Sequence, residues 1–153
     1  MTPAITTTVQ VLQWTGTHLA VLDQRLLPEQ LIYNNYNDAI GVTNAIITMQ
    51  VRGAPAIGIA AAYGVALAVI QRHQQNPKQW QQKVAEDIAL LASSRPTAVN
   101  LFWALAEMTT LLAQPLSDPI AATITLAKKI HSDDIAANKA MGELGADLLT
   151  GAK

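Results

Sequence analysis

The hydrophobic positions near the start of the chain fall in three short runs. Residues 9–14 and 18–23 are rich in β-branched and aromatic side chains, and Thr15-Gly16-Thr17 separates them with residues typical of a turn. A third run of similar character covers residues 30–36. These runs predict a small three-stranded antiparallel meander within residues 1–36.

From residue 37 onward the apolar positions recur at helical spacing, and caps and breakers divide them into separate helices. Asn37 or Asp38 is suited to cap the first helix, and Asn76-Pro77 resembles a cap followed by proline at the first helical position. Asp118-Pro119 and Ser132-Asp133-Asp134 carry similar start signals. About six helices are therefore predicted: from 38 to 49, from 55 through a long uncharged segment, over 78–92, 98–113 and 119–130, and from 132 onward.

The uncharged segment, residues 53–70, is long enough that a membrane span has to be considered. It consists mostly of alanine and glycine with a proline near its start, so it is only weakly hydrophobic, and the sequence holds no second candidate span. A buried central helix is the preferred interpretation. Small residues at Gly58, Ala61, Ala62 and Gly64 would let neighbouring elements approach its backbone closely.

The composition points to a covered surface rather than a fully solvated one. Hydrophobic residues make up 50% of the chain and charged residues 14%, whereas charged residues usually make up about 25%. A chain so poor in charge is expected to cover apolar area with a second copy, as a homodimer, or with another domain. The net charge of −1 and the scattered basic residues argue against a nucleic-acid ligand.

Several classes of site are excluded by residue type. The chain has no cysteine, which removes disulfides, thiolate metal sites and thiol nucleophiles. His18, His73 and His131 are far apart and lack the spacing of metal ligands, so no metal is expected. Residues 1–8 have no basic region followed by an apolar core, so they do not resemble a signal peptide, and a cytoplasmic protein is expected.

The most informative stretch for chemistry begins at Arg52. This is the last charge before the uncharged segment, and Gly53 follows it directly. Glycine allows a backbone geometry closed to other residues, and Pro55 suits the first position of a helix. The free N–H groups and dipole of a helix start, beside the guanidinium of Arg52, would hold a phosphate. In the alternative interpretation Gly53 and Pro55 only mark the start of a buried helix, and Arg52 is solvated.

A second arginine lies in a similar position. Pro96 favours an extended conformation for Arg95, which suits a loop residue that points into a site. Both Arg52 and Arg95 precede apolar helices, so both could face one anion. Taken alone, Arg95 is better explained as a solvated loop residue.

Two long strings resemble the methylthioribose-1-phosphate isomerases. Residues 52–64 read Arg-Gly-Ala-Pro-Ala-Ile-Gly-Ile-Ala-Ala-Ala-Tyr-Gly, and residues 94–104 read Ser-Arg-Pro-Thr-Ala-Val-Asn-Leu-Phe-Trp-Ala. Residues 21–28 and 134–146 extend the likeness to nearly the whole chain. The same superfamily contains the regulatory subunits of the eukaryotic translation initiation exchange factor and the ribose-1,5-bisphosphate isomerases.

The resemblance implies an enzyme of methionine salvage that converts the aldose methylthioribose 1-phosphate to the ketose methylthioribulose 1-phosphate without a cofactor. It implies that Arg52, Gly53, Ala54 and Arg95 bind this phosphorylated sugar. Family members are roughly twice as long and carry a catalytic cysteine and aspartate in a carboxy-terminal, Rossmann-like α/β domain. This chain has neither residue, so no catalytic residue is assigned to it and the chain alone is expected to be inactive.

The expected fold is therefore α+β: the meander of residues 1–36 and the helices of 37–131 form one amino-terminal domain without the family's carboxy-terminal domain. Residues 132–153 would hold a last helix and the start of that missing domain, because residues 148–153 resemble the segment just before the family's catalytic cysteine. The alternative function is a non-catalytic phosphometabolite-binding or assembly subunit, like the exchange-factor relatives. The second string resembles the isomerases more than the translation subunits.

Overall fold

The computed structural model describes residues 9–150. Residues 1–8, which do not resemble a signal peptide, and 151–153, from the predicted start of a further domain, lie outside the described residues. A three-stranded antiparallel sheet in the order β1-β2-β3 precedes the helices. The elements are β1 (Leu12–Trp14), β2 (Leu19–Leu22), a 3-10 turn (Gln24–Leu26), β3 (Tyr33–Tyr36), α1 (Ala39–Ile47), α2 (Ala54–Gln75), α3 (Trp80–Ser93), α4 (Val99–Leu112) and α5 (Pro119–Thr150).

The predicted meander is confirmed, and its register places β2 at the centre. Leu12 pairs with Val21, and Leu19 pairs with both Trp14 and Tyr36 on either side. All four residues of β2 are buried. The Trp14 ring stacks on the Tyr63 ring of α2 with centroids 5.3 Å apart, so the sheet packs against the central helix.

Helix α2 is the core of the molecule, as the sequence predicts. Every residue from 57 to 69 is buried. The small residues allow this packing: a Cβ on Gly58 would lie 2.7 Å from the Asn100 carbonyl oxygen of α4, and one on Gly64 would lie 3.0 Å from Leu91 of α3. By length and composition α2 alone among the described helices could cross a membrane, but 72% of its most apolar stretch is buried inside the fold, as expected for a core helix.

Two predicted helix starts are confirmed by their caps. The Asp38 carboxylate accepts a hydrogen bond from the Gly41 N–H at 2.6 Å, at the start of α1. The Asp118 carboxylate accepts one from the Ala121 N–H at 2.9 Å, at the start of α5. Both carboxylates also lie at the positive end of a helix dipole, which favours their charge.

The predicted helix start at Ser132 is wrong, because α5 runs without a break from Pro119 to Thr150. The polar side chains that suggested a cap are satisfied within the helix: the Ser132 hydroxyl donates to the Lys129 carbonyl at 3.0 Å, and Lys129 forms an ion pair with Asp133 one turn on. The described residues therefore contain five α-helices instead of about six. The proposed domain boundary after residue 131 falls inside α5.

The predicted start of α3 is also shifted. Asn76 terminates α2 and accepts a hydrogen bond from the Lys78 N–H at 3.2 Å, which makes a turn. The helix begins at Trp80, two residues after the predicted position. Pro77 therefore belongs to this turn and not to the first position of α3.

Candidate functional site

A cavity of about 410 Å³ lies where the loops before α2 and α4 meet. Its walls contain all four residues that the family resemblance implies as ligands of a phosphorylated sugar, so two segments more than 40 residues apart in the chain line one cavity. The lining residues are Met49, Arg52, Gly53, Ala54, Ile57, Arg95, Thr97, Ala98, Val99 and Asn100.

The start of α2 is built around Gly53. This residue has φ of 93°, a conformation that side-chain-bearing residues rarely adopt, and its carbonyl accepts the first helical hydrogen bond from Ile57 at 3.0 Å. No side chain caps α2 and no acidic residue lies in its first turn. The backbone N–H groups of Ala54 and Ala56 therefore remain available to a ligand, and Pro55, at the second helical position, has no N–H to satisfy.

Helix α4 begins in the same way on the other side of the cavity. Its first turn has no acidic residue, and the residue before it, Ala98, has no side chain that could cap it. The Ala98 N–H donates to the Arg95 carbonyl at 3.0 Å, which closes the turn that carries Arg95. Two positive helix ends thus meet at one cavity without carboxylates, whereas Asp38 and Asp118 cap α1 and α5.

The chain has four arginines, and they divide into two pairs by environment. Arg25 and Arg72 each make two hydrogen bonds to a buried carboxylate, Asp23 or Asp87. The Arg52 Nε donates only a long bond of 3.4 Å to the Met49 carbonyl, and the half-buried Arg95 guanidinium has no hydrogen bond or ion pair with any other described residue. The two arginines at the cavity therefore keep most of their donors free.

Two further polar groups in the cavity were not assigned from the sequence. Thr97, in the second loop, and Asn100, in the first turn of α4, add a hydroxyl and an amide to the cavity wall. Both belong to the string at residues 94–104 that supports the family resemblance, and their place in this string could have identified them as candidates. Hydroxyl and amide groups of this kind suit sugar hydroxyls.

The other titratable cluster of interest lies between α2 and α5. The Tyr63 hydroxyl is 3.2 Å from the His131 Nδ1, and their rings meet edge to face at 5.8 Å. Burial raises the pKa of Tyr63 to about 12. Burial also lowers the pKa of His131, against a smaller opposing effect of the Asp134 carboxylate. Among the residues described, no group of three potential ligands is placed to hold a metal ion.

Residues 50–153 match the initiation factor 2 subunit family. Among curated proteins, the chain is 54% identical over 145 residues to the methylthioribose-1-phosphate isomerase of Methylococcus capsulatus, an alignment that covers 95% of this chain and 41% of the relative. It is 50% identical to the protein of the same name from Alkalilimnicola ehrlichii, over 93% of this chain and 41% of the relative. The chain thus spans about two fifths of the length of the curated relatives it matches.

Solved structures give the same result for the fold. The 5-methylthioribose 1-phosphate isomerase of Pyrococcus horikoshii superposes with a TM-score of 0.85 at 32% identity, over 92% of this chain and 41% of that one. The delta subunit of translation initiation factor eIF-2B from A. fulgidus superposes with a TM-score of 0.83 at 31% identity, over 92% and 42%. These matches confirm both the resemblance drawn from the two strings and the α+β architecture of a meander followed by helices.

Proposed function

This chain belongs to the initiation factor 2 subunit family, and we propose that it is part of an isomerase that interconverts methylthioribose 1-phosphate and methylthioribulose 1-phosphate in methionine salvage. Its contribution is one wall of the substrate site, formed by Arg52, Gly53, Ala54 and Arg95. The observation that carries the proposal is that two arginines without carboxylate partners and two uncapped helix starts share a single cavity.

The chemistry of the cavity favours a phosphate monoester over a neutral sugar. Guanidinium groups and free backbone N–H groups are donors only, and phosphate oxygens are acceptors. A charge-assisted hydrogen bond contributes about 1.5–3 kcal/mol and a helix dipole about 0.3–1 kcal/mol, and the ordering cost of association offsets much of this. We expect this chain alone to bind phosphosugars in the millimolar range at best.

Turnover is expected to need groups that this chain does not supply. Conversion of an aldose to a ketose moves a hydrogen from carbon 2 to carbon 1, and the family resemblance implies that a cysteine and an aspartate of a further domain assist this transfer. The chain has no cysteine. We therefore expect the purified chain to bind the substrate without forming ketose; ketose formation that Arg52→Ala abolishes would contradict this.

An exposed apolar stripe on α5 favours the presence of a partner that covers it. Ala127 and Ile130 are buried against the core, and the same helical stripe continues through Ala137, Met141, Leu144 and Leu148. Met141, Leu144 and Leu148 are between 62% and 79% exposed. We propose that a second copy of the chain or another domain covers this stripe in the cytoplasm, and light scattering at tens of micromolar should detect self-association.

A non-catalytic phosphometabolite-binding or assembly subunit is the second candidate. The nearly equal TM-scores against the isomerase and the eIF-2B delta subunit favour keeping it. The sequence identity of 50–54% with isomerases favours the enzyme lineage. Both candidates use the same anion site, so the first experiment addresses the site itself.

That experiment is a titration with ribose 5-phosphate, followed through the backbone amide shifts, of the wild-type chain and two glycine variants. Gly53 and Gly16 both have positive φ, 93° and 100°, and a Cβ at either position would meet no atom within 4 Å. Gly53→Val and Gly16→Val therefore introduce similar local strain, but only Gly53 lies at the cavity.

We expect residues 52–56 to shift in the wild-type chain, Gly16→Val to bind as the wild type does, and Gly53→Val to lose about tenfold in affinity. Methylthioribose without its phosphate should produce no shift. A response confined to another region, or equal binding by both variants, would mean that the loop is only the start of a buried helix.

A further inference from the structure

The loop that carries Arg52 is fastened to the rest of the fold through a buried glutamine. The Gln50 side-chain oxygen accepts hydrogen bonds from the Asn34 amide at 3.0 Å and the Tyr36 hydroxyl at 2.6 Å, both on β3. Its side-chain nitrogen donates to the Thr48 hydroxyl at 3.3 Å, and its backbone N–H donates to the Ala45 carbonyl at 2.9 Å. Gln50 is thus fixed between the sheet and the end of α1.

A second glutamine extends this connection to Arg52. The Gln24 backbone N–H donates to the Gln50 carbonyl at 3.0 Å, and the Gln24 side-chain oxygen accepts from the Arg52 N–H at 2.5 Å. Gln24 therefore holds the chain on both sides of the buried Val51. Because the Arg52 N–H is bound to Gln24, the orientation of the peptide between Val51 and Arg52 is set from outside the loop.

Gln24 is itself anchored. It opens the 3-10 turn that follows β2, and the Asp23 carboxylate caps this turn by accepting from the Arg25 N–H at 3.2 Å. The Arg25 guanidinium donates two hydrogen bonds to the same carboxylate, at 2.8 and 2.6 Å, and this pairing lowers the pKa of Asp23 below its ordinary value. The Asp23 N–H donates to the Ile32 carbonyl at 2.8 Å. The turn therefore offers Gln24 as a fixed support.

The loop needs such a support because its backbone is unusual at both ends. Met49 has φ of 60° and Gly53 has φ of 93°, so two residues with positive φ bracket Arg52. A left-handed conformation at a residue with a side chain persists only when its surroundings hold it. At Met49 the bonds at the end of α1 do this: the Met49 N–H donates to the Ile46 carbonyl at 3.1 Å and the Gln50 N–H donates to the Ala45 carbonyl at 2.9 Å. The two hydrogen bonds of Gln24 then hold Gln50 and Arg52, on either side of Val51.

We propose that Gln24 is a positioning residue for the phosphate site: its side-chain amide fixes the Arg52 peptide and thereby the direction in which the guanidinium leaves the loop. Gln24 does not line the cavity and would not contact the ligand. The inference rests on the proposed function for its effect on affinity, while the effect on the loop is independent of any ligand. The meander then does more than cover the core: through Gln24, between β2 and β3, it holds the anion-binding loop in place.

The test compares Gln24→Ala and Gln24→Glu with the wild type and with Gln82→Ala, an exposed glutamine of α3 that serves as the control. Alanine removes the acceptor of the Arg52 N–H, whereas glutamate keeps an acceptor oxygen at the same chain length. The readouts are the hydrogen-exchange rate of the Arg52 amide without ligand, the dissociation constant for ribose 5-phosphate, and the melting temperature.

For Gln24→Ala we expect exchange of the Arg52 amide about tenfold faster and phosphosugar binding about fivefold weaker, the changes expected from one lost hydrogen bond. Gln24→Glu should restore the slow exchange and recover part of the affinity, and Gln82→Ala should match the wild type. The melting temperatures should stay close together, because the bond lies at the exposed edge of the loop.

Unchanged exchange and unchanged binding in Gln24→Ala would overturn the proposal. So would faster exchange with unchanged binding, because the bond would then not position the guanidinium. A wild-type chain that does not bind ribose 5-phosphate contradicts the proposed function instead, and the exchange comparison still decides whether Gln24 holds the loop.

Discussion

The two ends of α2 use arginine in opposite ways. Near its last turn, Arg72 donates from Nε and Nη2 to the two carboxylate oxygens of Asp87 at 2.8 and 2.9 Å, and Asp87 is only 5% exposed. Before its first turn, Arg52 faces a cavity and makes only one long side-chain hydrogen bond, at 3.4 Å. At one end the charge of Arg72 is neutralised by the Asp87 carboxylate, whereas at the other end the charge of Arg52 has no carboxylate partner among the described residues.

This difference separates arginines that pair with a carboxylate inside the fold from arginines whose donors remain free. The pairing with Asp87 raises the pKa of Arg72 and ties α3 to α2, so its charge is used within the fold. The donors of Arg52 and Arg95 would be used only by a ligand. Substitutions at the two ends should therefore affect different measurements, stability at one end and anion binding at the other.

The largest effect on stability is expected from Arg72→Met. It leaves the Asp87 carboxylate buried without its partner, which should cost about 2–3 kcal/mol, below the value for a fully buried pair because Arg72 is partly exposed. Urea unfolding measures this. The double variant Arg72→Met/Asp87→Leu should recover most of the loss, and Arg52→Gln or Arg95→Gln should change stability by no more than about 0.5 kcal/mol. Equal losses of unfolding free energy in Arg72→Met and Arg52→Gln would contradict the difference between the two ends of α2.

Gly58→Ala tests the packing that brings the two helix starts together. Its Cβ would lie 2.7 Å from the Asn100 carbonyl oxygen, so α2 and α4 would have to separate beside the cavity. We expect a loss of about 1–2 kcal/mol together with weaker phosphosugar binding. Gly142→Ala on α5 is the control, because its Cβ meets no atom within 4 Å and the change should stabilise the helix by about 0.5–1 kcal/mol. Stability retained in Gly58→Ala would contradict this packing.

The smallest effect concerns pH and the middle of α2, where Tyr63 contacts His131. Burial lowers the pKa of His131 in the folded chain below its ordinary value of 6.5, so the unfolded chain takes up the proton more readily. Stability should fall as the pH drops below about 6.5 and stop falling once the folded chain is also protonated. Unfolding at pH 8 and pH 5.5 should show that His131→Phe reduces this loss, whereas His18→Gln does not. Identical pH dependence in both variants would show that His131 does not contribute.

Local signals in the sequence predicted most of the fold, whereas the four residues that line the cavity together were assigned through the family resemblance. Asp38 and Asp118 act as caps because capping depends on neighbours three residues away, and Gly53 marks a positive φ that few other residues adopt. The start assigned to Ser132 failed because the same serine and aspartate side chains also form bonds within a continuous helix. The hydrogen bond between Gln24 and Arg52 was not predictable, since the two residues lie 28 positions apart and no local pattern joins them.

The central claim is that Arg52 and Arg95 act on one anion, and a titration with ribose 5-phosphate observed at both loops tests it most directly. The backbone amides of Gly53, Ala54 and Ala56 and those of residues 97–101 should follow a single dissociation constant. Arg95→Gln should weaken the response of the first group, although the substitution lies in the other loop. Arg72→Met should leave the dissociation constant unchanged under conditions where it remains folded. Different constants at the two loops, or an unaltered response of residues 53–56 in Arg95→Gln, would contradict a shared anion site.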